Sequence, residues 1–591
     1  MARAFMTRRR RVAARGVVVG LAALAATACG TVPLSFTGSA GDNGTANGLA
    51  AGSPLGSYLA ARHARSERDS TRAADFFAEA LAADPEYLPL LRRTFLAMAM
   101  DGRINRAVAL ARRVLEQSPR DPHSNLVLAV YDIGNGDYAA ARADLDQIAQ
   151  RSYIKILVPL LQAWGAVGED RIDAALEILK TAGDGKTFEP FRAYHAALVN
   201  DLAGRPEAAD EAYRRAMEST NGTALRIAAA YGEFLEREGR ADEAKRIYRR
   251  QLERFEESPL ILDALARIDR GERPARMVDD PVAGAAEALY SVASALARDN
   301  ARDAAIVLLR LALHLRPEYP ISQVLLAEVL EANRRWEQAL AVLDTVPPDS
   351  RFGWIARLRR ASVLQRLDRD DEAIALLRSM AEERPNRTDA LVDLGDVLRS
   401  NERYAEASRE YGRAIARLPQ IDERHWSLFY ARGIAYERAK QWTEAEADFL
   451  KAIELKPDQP LVLNYLGYSW VEQGRNIERA YAMLKRAVDL RPNDGYIVDS
   501  LGWVLYRLQR FPEAVVQLEQ AIELQPEDPV INDHLGDAYW RVGRKFEARY
   551  QWRRALSFNP EKELVPVIKE KLEVGLAPVR SNDKPKMSDG R

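Results

Sequence analysis

The feature that most constrains the fold of this chain is a repeat of about 34 residues in its second half. Proline recurs from Pro385 to Pro560 at intervals of 34, 38, 35, 34 and 34 residues. Small residues recur in step with it, and these are Gly395, Gly433, Gly467, Gly502 and Gly536, then Ala407, Ala445, Ala480, Ala514 and Ala548. A period of this length indicates one supersecondary unit per repeat, and such units bury their apolar faces by stacking.

Each repeat is predicted to form two antiparallel α-helices. Helices cross closely only where the facing residues are small, so we expect Gly502 to face Ala514 within one repeat. A large apolar residue then fills the space beside the crossing, and proline ends the second helix. The spacing resembles that of the tetratricopeptide repeat. This resemblance implies an all-α fold, a right-handed α-solenoid of helix-turn-helix repeats.

The same frame continues with weaker matches through the first half, which gives about 14 repeats between Ser53 and Pro560. It lapses between Glu256 and Glu287, in the stretch GERPARMVDDPVAG. The expected organisation is an export signal, a tether, a degenerate repeat segment, a junction or degenerate repeat, a repeat array, a capping helix and a disordered tail. The corresponding ranges are 1–28, 29–53, 54–258, 259–286, 287–560, 561–576 and 577–591.

The first 28 residues have the composition of a bacterial export signal. They contain six arginines and no acidic residue, followed by an apolar stretch at 16–26 that is too short to span a bilayer. Cys29, the only cysteine of the chain, follows directly in LAATACG. This motif resembles the lipobox of bacterial lipoproteins, although Ala26 stands where leucine is commonest. The prediction is therefore a lipid anchor at Cys29; the alternative is a chance cysteine at an ordinary cleavage site.

Charge and motif content argue against several other functions. Removal of residues 1–28 leaves 79 basic against 86 acidic residues. This net negative charge disfavours binding to nucleic acid or to anionic lipid. The six histidines are dispersed without metal-ligand spacing. The segment 183–187 is similar to the end of a phosphate-binding loop, but Lys180 replaces its first glycine. We expect no enzyme, no cofactor and no metal. The rival is an active site in the N-terminal half, which the repeat frame there disfavours.

In tetratricopeptide arrays the first helix of each repeat lines a concave face. Transferring those positions to the last three repeats predicts the partner-binding residues Tyr468, Tyr496, Asp499, Trp503, Tyr506, Arg507, Asp533, Asp537, Trp540 and Arg541. Aromatic rings combined with Arg and Asp are typical of interface hot spots. We expect Asp499 and Asp533 to be exposed, and Tyr496 and Trp540 as well. For Trp503 and Tyr506, packing between neighbouring helices is an equal alternative.

The lipobox, the glycine-rich tether and the stretch YIVDSLGWVLYRL together resemble the periplasmic tetratricopeptide lipoproteins of Gram-negative bacteria. Gly30 is not the aspartate that retains lipoproteins in the inner membrane, so we expect the outer membrane, facing the periplasm. The family includes adaptors of carboxyl-terminal processing proteases, which present cell-wall hydrolases to the protease. The resemblance implies a protein-binding scaffold of this kind. A scaffold for exopolysaccharide secretion or outer-membrane assembly is the alternative.

Overall fold

The computed structural model describes residues 53–148, 153–183, 187–222, 224–253 and 258–578. Over these ranges the protein contains 30 α-helices, one short 3₁₀ helix and no strand. The predicted all-α fold is therefore confirmed. The export signal, Cys29 and nearly all of the tether and of the tail lie outside the described residues. The described chain divides into two compact units, one ending at Leu377 and the other beginning at Arg378.

The unit that ends at Leu377 consists of helices joined by short turns. Its helices, with the division falling inside the last, are α1 (Pro54–Ser66), α2 (Ser70–Ala83), α3 (Leu88–Asp101), α4 (Ile104–Gln117), α5 (Pro122–Gly134), α6 (Tyr138–Asp146), α7 (Ile154–Gly168), α8 (Ile172–Thr181), α9 (Glu189–Leu202), α10 (Pro206–Ser219), α11 (Leu225–Arg237), α12 (Ala241–Leu252), α13 (Pro259–Asp269), α14 (Pro281–Arg298), α15 (Arg302–Leu315), α16 (Pro320–Ala332), α17 (Trp336–Leu343), α18 (Gly353–Arg366) and α19 (Asp370–Glu383).

The unit that begins at Arg378 continues in the same manner, with the 3₁₀ helix at Glu423–His425. Its further helices are α20 (Asp389–Ser400), α21 (Tyr404–Ala416), α22 (Trp426–Arg438), α23 (Trp442–Leu455), α24 (Pro460–Glu472), α25 (Ile477–Leu490), α26 (Gly495–Arg507), α27 (Phe511–Leu524), α28 (Pro529–Arg541), α29 (Lys545–Ser557) and α30 (Leu564–Val574).

The two helices of each pair are joined by a turn that contains a residue with positive φ. Of the eighteen connections in the described ranges that contain such a residue, fourteen lie within a pair. Glycine occupies this position in six of them, for example Gly474 between α24 and α25. The others use a residue such as Gln509, whose φ of 60° carries the strain of the left-handed region. Within the described ranges α13 and α30 stand outside this pairing.

The helix crossing in each later repeat is built on a glycine. A Cβ atom placed on Gly502 would lie 2.6 Å from the Cγ atom of Leu518. Similarly, a Cβ on Gly433 would lie 2.7 Å from the Phe449 ring, and one on Gly536 would lie 2.5 Å from Trp552. The side chain nearest to Gly502 is thus that of Leu518, one helical turn beyond Ala514. In the neighbouring repeats the aligned alanines lie at the crossing, since a Cβ on Gly536 would be 3.2 Å from the backbone oxygen of Ala548. The glycine gives room to the large residue itself.

In the unit that ends at Leu377, later helices pack against the first helices of early repeats. Helix α14 lies against α7, and α15 lies against α3 and α5. Gly284 of α14 lies so close to the Trp164 ring that a Cβ atom there would be 2.2 Å from it. The faces that would line an open groove in these early repeats are therefore covered by the unit's own helices.

A buried glutamate holds this packing together. The Glu287 carboxylate of α14 accepts hydrogen bonds from Arg226 at 2.6 and 3.0 Å, from the Tyr194 hydroxyl at 2.9 Å, and from the Tyr319 hydroxyl. Burial by itself would raise the pKa of Glu287, but the Arg226 charge and the hydrogen bonds outweigh it and lower the pKa to about 2. Glu287 is thus ionised and paired at neutral pH.

The crossing at Gly502 generates a prediction about stability. Gly502→Leu should lower the free energy of unfolding of its unit by about 1–3 kcal/mol, because the new side chain overpacks against Leu518. Gly412→Leu in α21 is the matched control, since a Cβ atom there meets only Arg432 Nη1, at 3.6 Å. Urea denaturation compares the two variants. A stable Gly502→Leu protein would contradict the assigned crossing.

Candidate partner-binding surface

The first helices of the last three pairs, α24, α26 and α28, lie side by side. We call the surface formed by their predicted partner-binding residues the C-terminal inner face. The period of 34 residues places corresponding side chains on consecutive helices, so that Tyr506 and Arg507 of α26 correspond to Trp540 and Arg541 of α28. The ten predicted residues are therefore brought onto one series of helices, but their burial differs.

Asp499 is buried, contrary to the expectation that it is exposed. Its side chain is 2% exposed and lies 2.9 Å from Nδ1 of His534, which is itself buried. Burial would lower the pKa of His534, but the Asp499 carboxylate outweighs it and raises the pKa above its ordinary value. Sequence reasoning missed His534, although its position directly after Asp533 was a signal that α28 presents polar groups toward α26.

Asp533 is buried as well, together with Asp537, which corrects the second expectation of exposure. The ammonium group of Lys571 donates to Asp533 at 2.8 and 2.9 Å and to Asp537 at 2.9 Å. Asp537 also accepts a hydrogen bond from the Trp552 indole at 2.9 Å. Burial and the nearby Asp533 charge raise the pKa of Asp537 to about 6. Lys571 belongs to α30 and could not be found from the repeat positions.

The rings of α26 stack between neighbouring helices. Trp503 lies parallel to the His534 imidazole with centroids 4.0 Å apart, and parallel to Tyr506 at 4.8 Å. The Trp503 indole donates a hydrogen bond to Glu472 at 2.7 Å, and the Tyr506 hydroxyl accepts one from Arg541 at 3.1 Å. Both rings are half-buried. For these two residues the structure thus places the rings in inter-helix packing while leaving part of each accessible.

Trp540 and Arg541 hold the chain's own C-terminal segment. The Trp540 indole donates to the carbonyl oxygen of Leu576 at 3.2 Å, and Arg541 Nη1 donates to that of Ala577 at 2.5 Å. A Cβ atom on Gly575 would lie 2.0 Å from the Trp540 ring, so the backbone rests directly on the indole. Trp540 is half-buried by this contact. The inner face of α28 therefore binds an irregular peptide segment through backbone carbonyls.

Tyr468 and Arg507 are less constrained. The Tyr468 hydroxyl makes no hydrogen bond within the described part of the chain, and Arg507 approaches Glu472 only to 3.8 Å. Both are half-buried. Tyr496 is also half-buried and packs near Val498 and Ile531. Free hydrogen-bonding capacity on this face is thus concentrated between α24 and α26.

Comparison with known proteins agrees with the repeat frame. Models of the tetratricopeptide repeat match residues 101–154, 225–268, 295–352, 392–460 and 502–543. The chain therefore contains tetratricopeptide repeats. A TPR repeat-containing protein of Pseudomonas aeruginosa is 27% identical over 190 residues, which are 32% of this chain and 31% of that protein. The match thus spans about a third of the length of that relative.

Solved structures of repeat proteins also resemble parts of this chain. A tetratricopeptide repeat protein from Parabacteroides merdae has a TM-score of 0.35 at 16% identity, covering 43% of this chain and 98% of its own. The Cut9–Hcn1 hetero-tetramer has a TM-score of 0.37 at 15% identity, covering 82% and 96%.

The described residues contain neither a metal-binding cluster nor a helix that could span a membrane. Among them no group of three or more His, Cys, Asp or Glu side chains is arranged to hold a metal ion. None of the helices in the described ranges is both long enough and apolar enough to cross a membrane.

The Lys571 cluster generates a pH-dependent prediction. Lys571→Met should destabilise the last repeat by about 3–5 kcal/mol at pH 8, because Asp533 and Asp537 remain buried without their cation. The loss of stability should be smaller at pH 5. A buried carboxyl with a raised pKa binds a proton there in the folded state, and protonation removes its unpaired charge. The loss of stability is measured by amide hydrogen exchange of α28 and α29 at both pH values.

The matched control is Lys571→Met combined with Asp533→Asn and Asp537→Asn, which removes the buried charges and should restore most of the protection at pH 8. Equal protection of the wild type and Lys571→Met at both pH values would contradict the assigned role of the cluster.

Proposed function

We propose that this protein is a non-catalytic scaffold that binds segments of other proteins on the C-terminal inner face. The observation that carries the proposal is the binding of residues 575–577 by Trp540 and Arg541. Hydrogen bonds to backbone carbonyls do not depend on the side chains of the bound segment. A surface that holds one peptide in this way is suited to holding others.

The neighbouring helix offers the same arrangement to a partner. Tyr506 and Arg507 of α26 occupy the positions that Trp540 and Arg541 occupy in α28, and Tyr468 adds a hydroxyl group without a partner within the described residues. A partner segment would rest on the half-buried rings and accept hydrogen bonds from Arg507 and Tyr468. Aromatic and arginine anchors in partly desolvated positions contribute most of the affinity of such interfaces.

The finer role that we propose is that of a membrane-anchored adaptor. A lipid on Cys29 would hold the protein at the periplasmic side of the outer membrane, and the repeats would recruit a carboxyl-terminal processing protease and its cell-wall hydrolase substrates. This part rests on the resemblance of the LAATACG motif and of the repeat array to periplasmic lipoproteins. Binding two proteins on one scaffold raises their effective concentration, because their encounter becomes intramolecular.

The binding surface can be tested by a double variant. Tyr468→Ala with Arg507→Ala should weaken partner capture at least tenfold, because it removes the Tyr468 ring and the free donors of both side chains from this face. Capture is measured by affinity purification of the mature protein from membrane extract, with the bound proteins identified. Because both side chains are half-buried, thermal stability is measured in parallel, and a variant that melts near the wild-type temperature separates loss of binding from loss of the fold.

The control for this experiment is Tyr550→Ala with Arg553→Ala on α29, where both side chains are exposed. This variant should capture partners like the wild type. Undiminished capture by the Tyr468/Arg507 variant would place the interface elsewhere. Recovery of polysaccharide-export proteins in place of a protease would retain the scaffold but replace the adaptor role.

The anchor can be tested separately. The wild-type protein should incorporate labelled fatty acid and fractionate with membranes, whereas Cys29→Ala should do neither. Charge would not retain the unlipidated protein at the membrane, because the mature chain is net acidic and so is the lipid surface. Wild-type protein that carries no label and is free of membranes would exclude the anchor, while leaving the binding surface untouched.

A further inference from the structure

The unit that ends at Leu377 contains a cavity that the proposed scaffold does not use. It lies where the first two helix pairs meet α15 and the start of α17, and its volume is about 280 Å³. The larger part of its lining is apolar. The apolar side chains are Ala73, Phe77, Leu96, Ala97, Met100, Ala304 and Val307. Cavities near this size are at the lower end of those that bind small molecules.

Cationic side chains surround the same cavity. Four arginines line it, namely Arg65, Arg68, Arg93 and Arg335, against a single carboxylate, that of Asp303. The Asp303 side chain is 61% exposed, so solvent weakens its effect on the arginines. An apolar cavity with a net excess of fixed positive charge favours an anion.

Arg335 presents unpaired donors at this cavity. Its side chain is only 8% exposed, yet its Nε and Nη1 atoms are buried without a hydrogen-bond partner among the residues that the structure describes. The nearest carboxylate oxygen, from Asp303, lies 3.7 Å from Nη2. Burial lowers the pKa of Arg335 from its ordinary value. Buried donors without acceptors cost free energy, and a bound anion would supply the acceptors.

The other arginines have donors available as well. The Arg65 side chain makes no hydrogen bond or ion pair within the described ranges. The Arg68 side chain donates to the carbonyl oxygen of Asn333 at 3.3 Å, and the Arg93 side chain donates to the Tyr58 hydroxyl at 2.7 Å. Guanidinium groups bind carboxylate and phosphate oxygens in paired geometry, so these arginines could hold one anionic group together.

We propose that this cavity binds a single-chain amphiphile whose head group is a carboxylate or a phosphate. The head group pairs with the free donors of Arg335 and Arg65, and the hydrocarbon chain lies against Phe77, Leu96 and Met100. The anionic head group thus matches the arginines of the lining, and the hydrocarbon chain matches its apolar side chains. A free inorganic anion would leave the apolar lining unfilled, and a neutral amphiphile would leave the Arg335 donors unpaired.

The test is calorimetric titration of the mature protein with four probes below their micelle-forming concentrations. Decanoate and decyl phosphate represent the two head groups; decyl maltoside and inorganic phosphate each lack one half of the ligand. We expect one or both anionic amphiphiles to bind at least tenfold more tightly than either control. The tighter of the two identifies the head group. Failure of both to bind, or equal binding of decyl maltoside, would overturn the proposal.

Variants then locate the site. Arg335→Met should weaken binding of the anionic amphiphile at least tenfold without lowering the melting temperature, because it removes an unpaired buried charge and keeps an apolar side chain. Arg65→Met, at an exposed position that the fold does not need, should also weaken it. Arg62→Met is the matched control, since Arg62 is exposed on α1 and does not line the cavity. Wild-type affinity in both the Arg335 and Arg65 variants would overturn the assigned site.

Discussion

Each later repeat of this protein depends on a close crossing between its two helices, and a glycine makes that crossing possible. At Gly433, Gly502 and Gly536 a Cβ atom would collide with the large side chain of the partner helix. Close packing of this kind tolerates little change in volume, so each helix pair behaves as a unit of fixed geometry. Stacking such units places side chains 34 residues apart on neighbouring first helices, and this spacing creates the C-terminal inner face.

Buried charges fix how neighbouring helix pairs pack within each compact unit. Glu287 with Arg226 in one unit, and Lys571 with Asp533 and Asp537 in the other, are satisfied only when several helices are correctly placed. Such groups contribute little net stability compared with apolar residues, but an unpaired partner is costly. In the last repeat the same groups bring the C-terminal segment onto α28. The protein thereby covers the end of its own array and leaves the free donors on α24 and α26.

The sequence predicted the helix pairs because glycine, alanine and proline at fixed spacing carry the geometry of the crossing and the turn. It also placed the ten candidate residues on the first helices. It could not predict the burial of Asp499 and Asp533. The partner of Asp499 is His534, 35 residues away at a position whose residue type differs from repeat to repeat. The partner of Asp533 is Lys571, 38 residues away in the capping helix. Nor could it predict the packing of α14 against α7, which brings Gly284 against Trp164 from a distant part of the sequence. The Arg335 cavity follows from that same long-range packing.

The central claim is that the C-terminal inner face binds other proteins. Site-specific photocrosslinking in cells tests it most directly, with a photoreactive amino acid placed at Tyr468 in one strain and at Tyr550 in another. The account predicts discrete adducts with partner proteins from position 468 and none from position 550. Adducts from position 550 alone would contradict it and assign the interaction to the second helices of the repeats.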